Sequence, residues 1–413
     1  MLSQDTLDEL IQPIIDRQES INNFVVGKIA DRINEIGKIK TSDVKRLLQL
    51  RQVGGDVQLI NRELAVLTSL QVNDIKQVIR VAAQAAYLDA KPFYDYRHKS
   101  FIPYKDNKYL QREVEAIARQ TGDTYRNISK AQAFMIRDPK NPKKLLPTSI
   151  AKTYQSIIDE AVQASQTGVL DYNTAMRRSL KQLADSGLRR VTYHPESGRV
   201  YTQRMDTAVR RNIQDGIRQV NQKVDDITGE EFGADGKELS VHAYSAPDHE
   251  PIQGLQFTLK NWEKLNSQEP FQSYEADGQS KKSFGAIDRA IGTWNCRHFA
   301  RSIILGVMKP NFTDKQLQAL KDANEKGYNL PNGKHLKMYE CTQYQRKLET
   351  EIRYAKDGQI AARAAGDMDL ARYYQRKINK YTNEYRVFSN DCGLPQMKTK
   401  MTVSGYSKIK TNP

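Results

Sequence analysis

Apolar residues recur at helical spacing over most of this chain, and that period limits it to an architecture built mainly of long helices. Leu7, Leu10, Ile11, Ile14, Ile15, Ile21, Phe24, Val25, Ile29 and Ile33 fall mostly three or four positions apart, as one buried helix face requires. Thr6 and Glu9 stand in capping-box relation at its start. Further helices are predicted over 58–67 and 72–88, and the pattern returns over 149–186. Near the other end Tyr344, Leu348 and Ile352 define one stripe. Leu370, Tyr374, Ile378, Tyr381, Tyr385 and Phe388 define a second, spaced 4-4-3-4-3. That spacing approaches a coiled-coil seam, so an antiparallel C-terminal helical hairpin is predicted, with Asp357-Gly358 beginning its turn.

Three interruptions divide the pattern. Residues 91–105 hold Pro92, Pro103 and five aromatic rings without a clear period, which reads as a loop or short strands. Its rings would pin the loop onto the helices, or, interleaved with basic residues, stack on bases. The Pro/Lys segment 138–144 reads as an exposed linker. Around Gly187 the texture changes: a β-hairpin is predicted over 191–201, then a helix over 203–227 and a strand over 239–244. Thr313 and Gln316 form another capping box. The expected fold class is therefore mainly α with a small α+β central domain. The predicted parts are a helical N-terminal region (1–189), an α/β central domain (190–310) and a basic helical C-terminal arm (311–413).

With 38% hydrophobic and 27% charged residues and a mean hydropathy of −0.70, the parts should be slender, with limited cores. A formal charge of +15 points to an anionic partner, nucleic acid first, or to a well-solvated basic helical surface. From Lys309 onward there are 20 Lys+Arg against 11 Asp+Glu, so much of the excess lies in the C-terminal arm. Three scattered cysteines make no disulfide framework, and reduced thiols in a cytosolic compartment are expected. The start of the chain lacks a signal-peptide pattern, and apolar runs such as 303–308 are too short to span a bilayer. No membrane association is expected.

The chemically able residues gather in one region. His242 and His249 precede Pro251-Ile252-Gln253-Gly254, and Cys296 and His298 lie in Asn295-Cys296-Arg297-His298. Together His242, His249, Cys296 and His298 could supply the four ligands of a structural Zn²⁺ site. The bland alternative has them satisfying backbone groups in a small polar core, with Cys296 as filler. An enzymatic alternative makes Cys296 a nucleophile at the start of a helix over 296–307 capped by Asn295, with His242 or His249 as base and Asp248 orienting it. Arg289, Arg297 and Arg301 are close enough in sequence to form a basic patch, with Arg297 more naturally a buried structural residue. No phosphate-cradling glycine loop, GxSxG elbow or HExxH helix occurs.

Several ordered pieces carry a family resemblance. They run from Tyr193, Ser197, Gly198 and Arg199 through a helix with Arg204, Arg210 and Arg211 to His242, His249 and Gln253-Gly254. Gly292, Asn295-Cys296-Arg297-His298, Gly306-Val307, Pro310 and Thr313 follow. Last come Tyr339, Gln343, Gln345-Arg346, Leu348-Glu349 and Ile352-Arg353. In this order they resemble the phage minor capsid protein 2 family, with a central region similar to the Mu F-type head morphogenesis domain. The chain departs from that pattern in having Ser245-Ala246-Pro247-Asp248-His249 where the family admits cysteines. The resemblance implies a non-enzymatic head protein, in the host cytoplasm during assembly and then in the virion (capsid). It would act near the portal vertex, with portal or major capsid proteins as partners and viral DNA contacted through the basic C-terminal arm. The alternatives are a sequence-independent nucleic-acid-binding protein, or a cysteine-dependent effector carried in the head.

Overall fold

The computed structural model describes residues 4–36, 43–138, 140–167, 172–194, 199–292, 296 and 298–410. Three helices open the chain: α1 (Gln4–Ile36), α2 (Asp43–Tyr96) and α3 (Lys108–Lys130). A hairpin of β1 (Gln132–Asp138) and β2 (Asn141–Thr148) precedes α4 (Ile150–Thr167) and α5 (Tyr172–Ser186). A second hairpin, β3 (Arg189–His194) and β4 (Arg199–Arg204), runs directly into α6 (Met205–Phe232). Next come β5 (Gly236–Leu239), β6 (Gln256–Thr258), α7 (Leu259–Asn266), β7 (Phe271–Gln272), β8 (Ser283–Phe284) and β9 (Ala300–Ile303). α8 (Asp314–Lys326), β10 (Tyr328–Asn329) and β11 (His335–Leu336) lead to α9 (Met338–Ala364) and α10 (Met368–Asp391). The fold is mainly helical, and α9 packs along α10 as a hairpin.

The long apolar stripes meet in one core. Ile11, Ile14, Val25 and Ile29 of α1 pack with Ile60, Ile75 and Ile79 of α2 and Val209, Ile213 and Val220 of α6. Ala361, Ala362, Ala371 and Tyr374 of the C-terminal hairpin join the same cluster. α6 crosses α2 and α3 closely at Gly216, where a Cβ would lie 2.5 Å from Thr121 Oγ1 and 2.9 Å from Ile79 Cδ1. A smaller core around Leu348, Ile352, Tyr385 and Phe388 holds the outer part of the hairpin.

Several sequence expectations are corrected. α2 is one helix where two were predicted, because Gln71 is a buried core residue whose Nε2 donates to the Ile14 carbonyl at 3.0 Å. α2 also runs through Pro92 to Tyr96, since Tyr87, Ala90 and Tyr94 stay buried on one face. Beyond it the rings pin the following loop: Phe101 stacks on Tyr87 at 4.6 Å and meets Tyr94 edge-on at 5.2 Å. The expected linker 138–144 is instead part of an antiparallel hairpin, with Ile136 opposite Leu146. β2 is the outer strand of the sheet β2-β1-β3-β4, where prolines leave no ladder bond broken. The hairpin over 191–201 is present as β3 and β4, with its tip outside the described residues. The predicted strand over 239–244 ends at Leu239. Asp357 and Gly358 lie inside α9, and the turn comes at 365–367. Gly358 is needed there because a Cβ would meet Tyr374 Cε1 at 2.5 Å.

Charged groups are buried where the helices cross. Arg204, at the end of β4, pairs with Asp206 at 3.0 Å and with Asp357 of α9. Arg353 of α9 pairs with the other oxygen of Asp206. Glu19 of α1 sits beside this network and accepts the Ser404 backbone N–H at 2.9 Å. Burial, with Asp206 beside it, pushes the Glu19 carboxyl up to about 7. The folded state thus holds this proton more tightly than the unfolded chain does, and stability falls as pH rises from about 4.5 to about 7. Glu19→Gln keeps an acceptor for Ser404 and removes the ionisation. Urea unfolding should show the variant gaining about 3 kcal/mol over the parent between pH 5 and pH 8. A constant difference across that range would contradict the assignment.

Candidate metal centre

Strand pairing brings the scattered histidines and cysteine together. β5 is the middle of a three-stranded antiparallel sheet in the order β6-β5-β9. Leu239, the last residue of β5, lies opposite Ala300, the first of β9. The residues just after Leu239 therefore lie beside those just before Ala300. Ser240 N donates to the Phe299 carbonyl at 2.9 Å, and Phe299 N donates to Ser240 Oγ at 3.1 Å. The loop 240–254 closes on itself, Gly254 N donating to the Leu239 carbonyl at 3.0 Å. Gly254 has φ 72°, and a Cβ there would meet Leu317 Cδ2 at 2.6 Å, so the turn admits only glycine.

Within this frame Cys296 Sγ lies 3.4 Å from His249 Nδ1 and 3.6 Å from His298 Nδ1. All three residues are buried, and their ligand atoms lie within 4.8 Å of one another. A tetrahedral zinc bound by thiolate and imidazole at ordinary bond lengths has an S···N edge of about 3.5 Å. The far ring nitrogens are also provided for. His249 Nε2 stands 3.0 Å from the Arg289 carbonyl, which only an N–H satisfies, leaving the Nδ1 lone pair toward sulfur. His298 Nε2 is 3.5 Å from Gln253 Oε1, an oxygen that also accepts the His242 backbone N–H at 3.0 Å. Such outer contacts are how ligating imidazoles are oriented.

The electrostatics agree with a ligand set. Burial drives the His298 imidazole down to about 3, with His242 and His249 pushing the same way, so it is neutral at pH 7. Burial opposes ionisation of the Cys296 thiol, but His249 and nearby backbone N–H groups outweigh it and hold the thiol below its ordinary value. Burial likewise pulls His249 down, and its bonds to Cys296 and the Arg289 carbonyl more than reverse that. Asp248 grips Arg289 through both oxygens, at 2.5 and 2.9 Å.

Of the four sequence-predicted ligands, three converge and His242 lies at the rim, its ring 4.6 Å from that of His298. The helix predicted over 296–307 is instead a short strand and a turn, since β9 fills the free edge of β5 and Asp225 accepts the Ser302 N–H at 3.0 Å. Asn295 and Arg297 lie outside the described residues. Arg289 is held by Asp248, and Arg301 lies over the Phe93 ring at 4.8 Å. The roles of Gln253 and the Arg289 carbonyl escaped sequence reasoning, although Gln253-Gly254 stood in the resemblance.

Lys237 joins this sheet to α6. Its Nζ, largely buried, donates to Asp225 at 2.9 Å, Asp226 at 2.6 Å and Ser302 Oγ at 2.8 Å. Lys237→Met should cost about 3 kcal/mol in urea unfolding, because it strands two partly buried carboxylates. Adding Asp225→Asn should recover part of the loss, and a single-variant cost under about 1 kcal/mol would contradict this role.

Among the described residues no helix is long and apolar enough to cross a membrane. Residues 2–390 match the family model described as phage minor capsid protein 2. Among curated proteins and solved structures no match was found.

Proposed function

The chain belongs to the phage minor capsid protein 2 family, and from that premise we propose that it works in head assembly near the portal vertex and touches packaged DNA. Membership carries a structural role in the capsid. The match to residues 2–390 is the observation that carries the reading, because it spans the helical regions and the central module together. In this proposal the helical surfaces dock on portal or major capsid proteins, and the chain catalyses no reaction. Exposed Leu59, Val66 and Leu70 along α2 suit such docking. The His249–Cys296–His298 cluster holds a structural zinc ion that fixes the central module.

DNA contact falls to the C-terminal hairpin. Arg372, Arg376 and Lys380 are exposed one turn apart along α10, a rise of about 6 Å per step. A row of cations at that spacing suits phosphates without reading sequence.

A second reading, a cysteine-dependent effector carried in the head, has one observation in its favour. Cys296, His249 and Asp248 stand in line, with Asp248 Oδ2 3.6 Å from His249 Nε2. Against it, His298 occupies the other flank of the sulfur, and Asp248 is committed to Arg289.

Quantitative mass spectrometry of purified particles tests the head assignment. A few copies per particle are expected in DNA-filled virions and in emptied shells, whereas absence from both would overturn it and favour a role in the infected cell. For DNA contact, Arg376→Glu with Lys380→Glu should weaken binding to duplex DNA and flatten the slope of log K against log salt by about 2. An unchanged slope would move the contact elsewhere.

A further inference from the structure

We propose that the metal centre is a closed His₃Cys zinc site, with His242 as the fourth ligand. The inference rests on the reading that His249, Cys296 and His298 hold a metal ion, and it adds which residue completes the shell and what the completed shell does.

Three donors leave one corner of a tetrahedron, and a structural zinc fills all four with protein. The acidic neighbours are excluded by geometry. Asp248 lies on the Nε2 side of His249, away from the Nδ1 that faces sulfur, and is clamped by Arg289. Glu250 is turned to Asn324 of α8, with Nδ2 2.7 Å from its carboxylate. His242 lies against the cluster, its ring 4.6 Å from that of His298 and tilted 55° to it. Its backbone is fixed by the same Gln253 oxygen that faces His298. Closing the site requires the half-buried His242 ring, held at the rim on an anchored backbone, to turn toward the open corner.

The completed site would tie the loop 240–254, at His242 and His249, to the strand entering β9. That loop carries Tyr244 in a left-handed conformation, φ 57°, which an aromatic residue adopts only when its surroundings hold it there. Tyr244 packs on the outer core of the C-terminal hairpin. Zinc would therefore fix the surface on which the hairpin rests, and bind no substrate.

The test uses the full chain. Metal analysis should find one zinc per chain, and cobalt substitution should give tetrahedral visible bands with a thiolate charge-transfer band. His242→Ala should lower zinc affinity at least about tenfold, since even outer-shell partners are worth about 10–100-fold. It should also weaken the cobalt bands as water enters the vacated corner, while His242→Cys, which restores a donor, should recover them. Cys296→Ser should abolish the charge-transfer band. A purified chain that holds no zinc and takes up none when it is supplied would overturn the underlying metal reading. Metal bound equally well by the parent and His242→Ala, with identical cobalt spectra, would overturn the closed site alone.

Discussion

Two arginines and two aspartates, buried where segments distant in sequence cross, are the contact on which the rest of the structure depends. Arg204 and Asp206 flank the junction of β4 with α6, while Arg353 and Asp357 come from α9. Tyr354 adds its ring beneath two guanidinium groups, Arg204 at 5.1 Å and Arg189 at 4.7 Å. Burial alone would strip these charges. Instead Arg204 and Arg353 hold the Asp206 carboxyl down at about 2, against its desolvation. Such a network adds little net stability over an apolar core, but breaking it costs about 3–5 kcal/mol. Its effect is to penalise every other arrangement of α6 against the C-terminal hairpin. The chain beyond α10 then folds back over α1, with Lys356 Nζ donating to the Met401 carbonyl at 2.6 Å and Asn23 Nδ2 to the Ser404 carbonyl at 2.5 Å.

The small sheet is placed by a related device. α6 continues to Phe232 and offers Asp225 and Asp226 to Lys237 of β5, and Asp225 also holds Ser302 of β9. With β5 and β9 locked in register, the His/Cys cluster follows from which residues lie just beyond the paired ends. The central module is thus a local consequence of a long helix that the N-terminal helices already fix.

How far this was legible in the sequence depends on the kind of interaction. Period-3.6 stripes marked α1, α9 and α10, because apolar residues recur three or four positions apart along each. The same logic failed at Gln71, where a polar residue occupies a core position by bonding to a neighbouring helix. It failed again at Asp357-Gly358, where turn-forming residues serve a buried ion pair and a close ring contact inside a helix. The candidate site was legible as residue types, since Cys296 and the histidines are rare here. Which of them converge was not, because that depends on the pairing of Leu239 with Ala300 across sixty residues of chain. The pairing also turned an expected helix after Cys296 into a strand, because β5 stands ready to pair with it while a short isolated helix must first meet a nucleation cost.

Together these contacts describe a phage minor capsid family protein held as one body, with an apolar stripe exposed on α2 and a basic row on α10. Electron cryo-microscopy of virions, with localised reconstruction around single vertices, tests that claim most directly. The account predicts density at one vertex into which α1, α6 and the α9–α10 hairpin fit together without rearrangement. Density in which the hairpin has separated from the N-terminal helices, or no such density at any vertex, would contradict it.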